Sequence, residues 1–174
     1  MNKRLPLLII LIFPVLICFF AWYCWYSPVA TVFLVRHAER LNDSDTTSIS
    51  EVGIERAKDL AHAVSVAGIQ RIYVSEKART LQTAFPASSQ LGVMSAAITA
   101  NEINRYADSV KAHRGENILI VGHSDTVPLI IGKLGVSPPP TIGGSEFDNL
   151  FVVTVFRFRT TMVQLKYGNP SSQH

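Results

Sequence analysis

The chain opens on a long apolar stretch and then changes character. From Leu5 to Tyr26 no position carries a charge and almost all are apolar, 22 residues in all, where about 20 suffice to cross a bilayer as a helix. Beyond residue 30, short apolar runs alternate with amphipathic segments. Thr31 to Val35 is a compact run rich in β-branched residues and reads as a buried strand. Leu41 to Ser48 is polar and turn-rich, a loop. Ser48 with Glu51 matches a capping box that opens a helix. On that helix Gly53, Ala57, Leu60, Ala61 and Val64 share one face, and Gly68 closes it. Ile69 to Ser75 reads as a second strand, followed by a helix from Lys77 to Gln90 that contains Pro86. Asn101 to His113 is a further helix, with Ile103, Tyr106, Ala107 and Val110 at core spacing. Asn117 to Val121 is a third strand, and Thr126 to Leu134 a helix ending at Gly135. After a loop rich in proline and glycine, Phe147–Phe156 and Thr161–Tyr167 read as two strands joined by a tight turn. The tail from Gly168 reads as loose.

Strand and helix in alternation predict an α/β domain, a three-layer sandwich whose central sheet is mainly parallel with helices on both faces. In such sheets ligands bind beyond the C-terminal ends of the strands. Three such ends carry polar residues: Arg36-His37 after the first strand, Ser75 on the second and His123 after the third. The fold predicts that these points converge. The expected organisation is a cytoplasmic N-terminus over 1–4, a transmembrane anchor over 5–26, a linker over 27–30, a single domain over 31–168 and a tail over 169–174.

Charge and cysteine content narrow the classes. The net charge of +3 falls to +1 without Lys3 and Arg4, leaving 14 basic against 13 acidic residues. That is no polybasic surface, so no nucleic-acid partner is expected. Both cysteines, Cys18 and Cys24, lie in the apolar stretch, so the domain uses neither disulfide nor thiolate chemistry. The apolar stretch is longer than a signal-peptide core. It ends in Trp22, Tyr23, Trp25 and Tyr26, the residue types that collect at a membrane–water interface. An uncleaved anchor is therefore favoured over a cleaved signal. Lys3 and Arg4 should remain in the cytoplasm, which places the domain extracytoplasmically, in the periplasm of a bacterium.

The polar strand ends carry recognisable motifs. Val35-Arg36-His37-Ala38-Glu39 resembles the Arg-His-Gly signature of the histidine phosphatase (phosphoglycerate-mutase-like) superfamily, with alanine in the third place. The segment Ser75 to Ala84 resembles that family's second motif, in which an arginine, here Arg79, opens a helix. Ile120 to Pro128 resembles the third, in which a histidine, here His123, follows a strand. The resemblance implies a phosphatase that carries a phosphoryl group on His37, with Arg36, Arg79 and His123 holding the phosphate oxygens. The chemistry is sensible. Neutral imidazole is a good nucleophile near pH 7, and phosphoryl transfer depends chiefly on positioning and charge neutralisation, which guanidinium forks supply. No metal or other cofactor is called for.

Two carboxyls compete as the proton donor, Glu102 as the candidate and Asp125 as its rival. Glu102 stands roughly where short members of the family carry an acid, yet Thr99 with Glu102 also fits a capping box. Asp125 follows His123 by two residues and could equally cap the next helix. Arg40 could reach a second charge on the substrate or pair with Asp43 in its own loop. Asp43 and Asp45 read as part of a solvated loop. The short domain has little room for the inserts that enclose a mutase pocket. A phosphomonoesterase is therefore expected, acting on a small molecule, an envelope glycan or a phosphoprotein. A phosphoglycerate-mutase-like phosphotransferase and an anchored module that merely binds phosphorylated ligands are the alternatives.

Overall fold

The computed structural model describes residues 4–171; the side chains of residues 4–11 and of Cys24 lie outside the described set. Helix α1 runs Arg4–Tyr26. Strand β1 follows almost at once, Pro28–Arg36, so residues 28–30 do not form the predicted linker. They are the first residues of a strand, held because Ala30 is buried and its neighbours pair with β5. Among the described residues no helix is long and apolar enough to cross a membrane. The anchor predicted over 5–26 falls partly outside those residues. The described part of α1 exposes Phe19, Phe20, Trp22 and Tyr23.

The remaining elements are α2 (Glu51–Ala63), β2 (Ile69–Val74), α3 (Ala78–Leu91), β3 (Ser95–Ala97), α4 (Ile103–Ala112), β4 (Asn117–Gly122), α5 (Thr126–Lys133), β5 (Asn149–Phe156) and β6 (Thr160–Lys166). They build one six-stranded sheet in the order β3-β2-β4-β1-β5-β6. The first four strands in that order are parallel, and β5 and β6 add an antiparallel edge. This is the expected mainly parallel α/β architecture.

The period of two along each central strand divides the core. Val32 and Leu34 of β1, with Ile118 and Ile120 of β4, face α4 and α5, where Tyr106, Val110, Ile130 and Ile131 meet them. Val35 of β1, with Leu119 and Val121 of β4, faces α2 and α3, where Leu60, Val64, Ala84 and Ala87 complete a second layer. β1 and β4 are buried on both faces, which is why they read as unbroken apolar runs rather than alternating ones.

Element boundaries differ from expectation where loops intervene. Arg40 bridges Ile49 as an antiparallel pair, and the Leu41 amide donates to the Ser48 carbonyl. Positions 48 and 49 are thereby extended, and the helix cannot open at Ser48. Ser50 caps α2 instead, its hydroxyl accepting from the Gly53 amide at 3.1 Å. Gly53 is required by packing: a Cβ there would collide with the Glu39 carbonyl oxygen. α4 begins at Ile103, with Glu102 at its N-cap making no side-chain cap bond. The tail is tied as far as Ser171. Its hydroxyl accepts from the Phe147 amide at 2.8 Å, and Arg56 holds the Asn169 carbonyl at 2.9 Å. Residues 172–174 lie outside the described residues.

Candidate active site

β1 and β4 end side by side, Arg36 opposite Gly122, so the residues that follow each strand emerge together. His37 follows β1, and its amide donates to the Gly122 carbonyl at 2.9 Å. His123 follows β4, and the two imidazole centroids lie 5.3 Å apart, edge to face. α3 starts beside them after β2, with Arg79 in its first turn. Arg36, His37, Arg40, Asp45, Lys77, Arg79, His123 and Asp125 line one open cleft. The predicted convergence of three strand ends is thus realised.

His37 is held in one tautomer. Its Nδ1 lies 2.8 Å from the Ala38 carbonyl, which only accepts, so Nδ1 bears the proton and Nε2 keeps its lone pair. The Ala38 amide in turn donates to the Thr83 hydroxyl at 2.9 Å, and that hydroxyl donates to the Arg79 carbonyl at 2.7 Å. The turn carrying the histidine is therefore tied to the helix carrying the arginine. Burial pushes the His37 pKa down to about 3, with Arg36, His123 and Arg79 adding to the effect against the Ala38 bond. Burial and Arg79 lower His123 to about 4. Both rings are neutral at pH 7.

Arg36 is buried and pinned. Its Nη1 donates to the carbonyls of Gly143, Gly144 and Glu146 at 2.9, 2.8 and 3.2 Å, and the guanidinium carbon lies 4.0 Å from the Phe147 ring centroid. Burial brings its pKa down to about 10, still well above neutrality. Arg79 donates through Nη1 to the Asp45 carbonyl at 2.8 Å. His123 has Nε2 at 2.9 Å from the Ser75 hydroxyl, while Thr126 accepts from its amide at 3.0 Å. Arg36 Nε, Arg79 Nε and His123 Nδ1 are buried without partners. Orphaned buried donors are costly and uncommon. The two arginine Nε–H groups are such donors, and with His123 Nδ1 they make a receptor for an anion with several oxygens.

Residues 32–105 match the family model of the histidine phosphatase superfamily (branch 1). That segment, under half of the chain, is similar to the superfamily. The matched segment carries Arg36, His37 and Arg79; His123 lies beyond it and is brought in by β4. Among solved structures of similar fold is the protein histidine phosphatase SixA complexed with tungstate, at 19% identity, TM-score 0.64, 78% of this chain and 96% of that one. An alpha-ribazole phosphatase from Shigella flexneri matches at 16% identity, TM-score 0.63, 78% and 96%. A mycobacterial glucosyl-3-phosphoglycerate phosphatase matches at 12% identity, TM-score 0.61, 79% and 97%. No curated protein matches the chain in sequence.

Within this fold the two candidate acids separate. Asp125 lines the cleft and caps α5, accepting from the Thr126 amide at 2.9 Å. Glu102 lies outside it, beside Asn101, Arg105 and Lys133. Arg105 donates to Glu102 at 3.0 Å and holds its carboxyl below the ordinary range, the wrong direction for a proton donor at neutral pH. Arg40 pairs with Asp43 at 2.6 Å, although it also lines the cleft. Several supporting residues escaped sequence reasoning. Glu39 makes a bidentate pair with buried Arg56 at 2.6–2.8 Å, which fixes the strand exit just past His37. Phe147 and the Gly143–Glu146 carbonyls, which seat Arg36, lie more than 100 positions away in sequence. Nothing local signals either partnership.

Proposed function

We propose that the chain is a phosphatase hydrolysing phosphomonoesters, or phosphorylated protein, through a phosphohistidine on His37. The observation that carries the reading is the pair of unpartnered buried arginine Nε–H donors, with the unpartnered His123 Nδ1, beside an imidazole whose Nε2 is free. Nε2 attacks phosphorus, the P–N bond forms and the P–O bond to the leaving alcohol breaks. Arg36, Arg79 and His123 hold the phosphoryl oxygens as charge shifts among them, the requirement that dominates phosphoryl transfer. The imidazolium formed on His37 is stabilised by the Ala38 carbonyl at Nδ1–H. Asp125 gives a proton to the departing alcohol. In the second half it takes one from water, which attacks phosphorus, breaks the P–N bond and releases phosphate.

Turnover of aryl phosphates by the full chain tests this. Asp125→Asn should slow a poor leaving group far more than a good one, by roughly 100-fold against a few-fold, and Glu102→Gln should leave the two alike. Hydrolysis of no phosphomonoester at all would instead favour a module that only binds phosphorylated ligands.

The reading extends to location. Leu5–Tyr26 acts as an uncleaved signal-anchor and the domain stands on the extracytoplasmic side. The uncharged stretch preceded by Lys3-Arg4 supports this, as do the exposed aromatic side chains toward the end of α1. A membrane-impermeant reagent applied to intact cells should modify the domain; protection until the cells are broken would reject this orientation.

A further inference from the structure

The cleft holds two cations, Arg40 and Lys77, beyond the arginines assigned to the phosphoryl group. Lys77 lies on its wall, at the N-cap of α3 and two residues before Arg79. Its Nζ meets Asp45 Oδ2 at 2.9 Å. The other oxygen of the same carboxylate lies 3.8 Å from Arg79 Nη2. Asp45 thus reaches in from the 41–48 loop and bridges Lys77 to a phosphate-binding arginine, although its side chain is 77% exposed. Arg40 shows no such bridging, since its partner Asp43 is 94% exposed and meets it alone.

We propose that Lys77 forms a second-anion subsite, and that Asp45 is the stand-in that fills it when no substrate is bound. This deepens the phosphatase reading and rests on it for the substrate class: phosphomonoesters that carry a second negative group, a carboxylate or another phosphoryl group, close to the one transferred. An exposed ion pair contributes little and is readily exchanged. The loop bearing Asp45 is closed at its ends by the Arg40–Ile49 bridge, while Asp45 itself is held to α3 by the contacts a substrate anion would replace. A group with more charge and more oxygens than one carboxylate should displace it, since Lys77 and Arg79 would both be re-paired.

The test uses ligands that cannot be turned over, so that binding and catalysis are judged separately. Calorimetric titration of the full chain compares methylphosphonate with phosphonoacetate and methylenediphosphonate. Either or both anionic compounds should bind at least about tenfold more tightly than methylphosphonate, the effect of one well-placed charged contact. Which of them does so identifies the second group as carboxylate or phosphoryl. In Lys77→Gln that ratio should collapse to below about threefold, and Asp45→Asn should raise affinity for the doubly anionic ligands. A ratio near one in the wild-type chain, or an unchanged ratio in Lys77→Gln, overturns the subsite. A clear ratio in a chain that hydrolyses no phosphoester keeps the subsite and removes the phosphatase reading.

Discussion

Replacing His37 with alanine is expected to abolish turnover, lowering kcat by roughly 10⁴-fold or more, as loss of a covalent nucleophile does elsewhere. The expectation rests on geometry. His37 is buried, its Nδ1 proton is committed to the Ala38 carbonyl, and Nε2 is the ring nitrogen left to react. With a pKa near 3, the ring loses no nucleophilic fraction to protonation at neutral pH. His123 is held by Ser75 at Nε2 and serves the phosphoryl oxygens in this mechanism rather than phosphorus itself. Rapid-quench measurements at alkaline pH, where phosphohistidine survives, should trap labelled phosphoenzyme in the wild-type chain and none in His37→Ala. Activity of the variant within tenfold of wild type would sink the covalent mechanism.

The second large effect concerns Arg79. Arg79→Ala should reduce kcat/KM by about 10³-fold, comparable to removal of an arginine that stabilises a transferring phosphoryl group. Arg79→Lys should recover little of it. Lysine carries the charge but not the fork, and Arg79 uses separate nitrogens for separate tasks. Nη1 grips the Asp45 carbonyl, while Nε is buried and unpartnered. An ammonium cannot do both. Steady-state kinetics decide the matter, and a lysine variant within a few-fold of wild type would show that only net charge is needed there.

Much of this site was legible in the chain because its parts are local. Arg36-His37, Arg79 and His123 each sit at or just past a strand end, and a parallel sheet brings such ends together whatever the loops do. What could not be read depends on contacts between distant segments. Ser48 satisfied the pattern of a helix cap, but pairing of Arg40 with Ile49 pulled it into an extended loop and passed the role to Ser50. β3 has three residues and no apolar period to announce it. Glu102 had the right position in sequence and the wrong neighbours in space, and only the packing of α4 separates it from the cleft. Asp45 looked like one more solvated loop residue. Its contacts with Lys77 and Arg79 span more than 30 positions and exist only because the loop folds back over α3.

β1 begins next to α1 and ends at the nucleophile. Nine residues of strand at about 3.3 Å each separate the two by roughly 30 Å. At the near end, the turn between β5 and β6 rests on the helix, with Trp25 and Phe158 rings 5.6 Å apart and Arg159 over Tyr26. The cleft therefore lies at the end of β1 away from α1. Under the proposed anchoring of α1, a phosphoryl group on a short lipid headgroup would fall well short of His37. Under that same proposal, substrate comes from solution or hangs at the outer end of something long enough to bend back to the cleft.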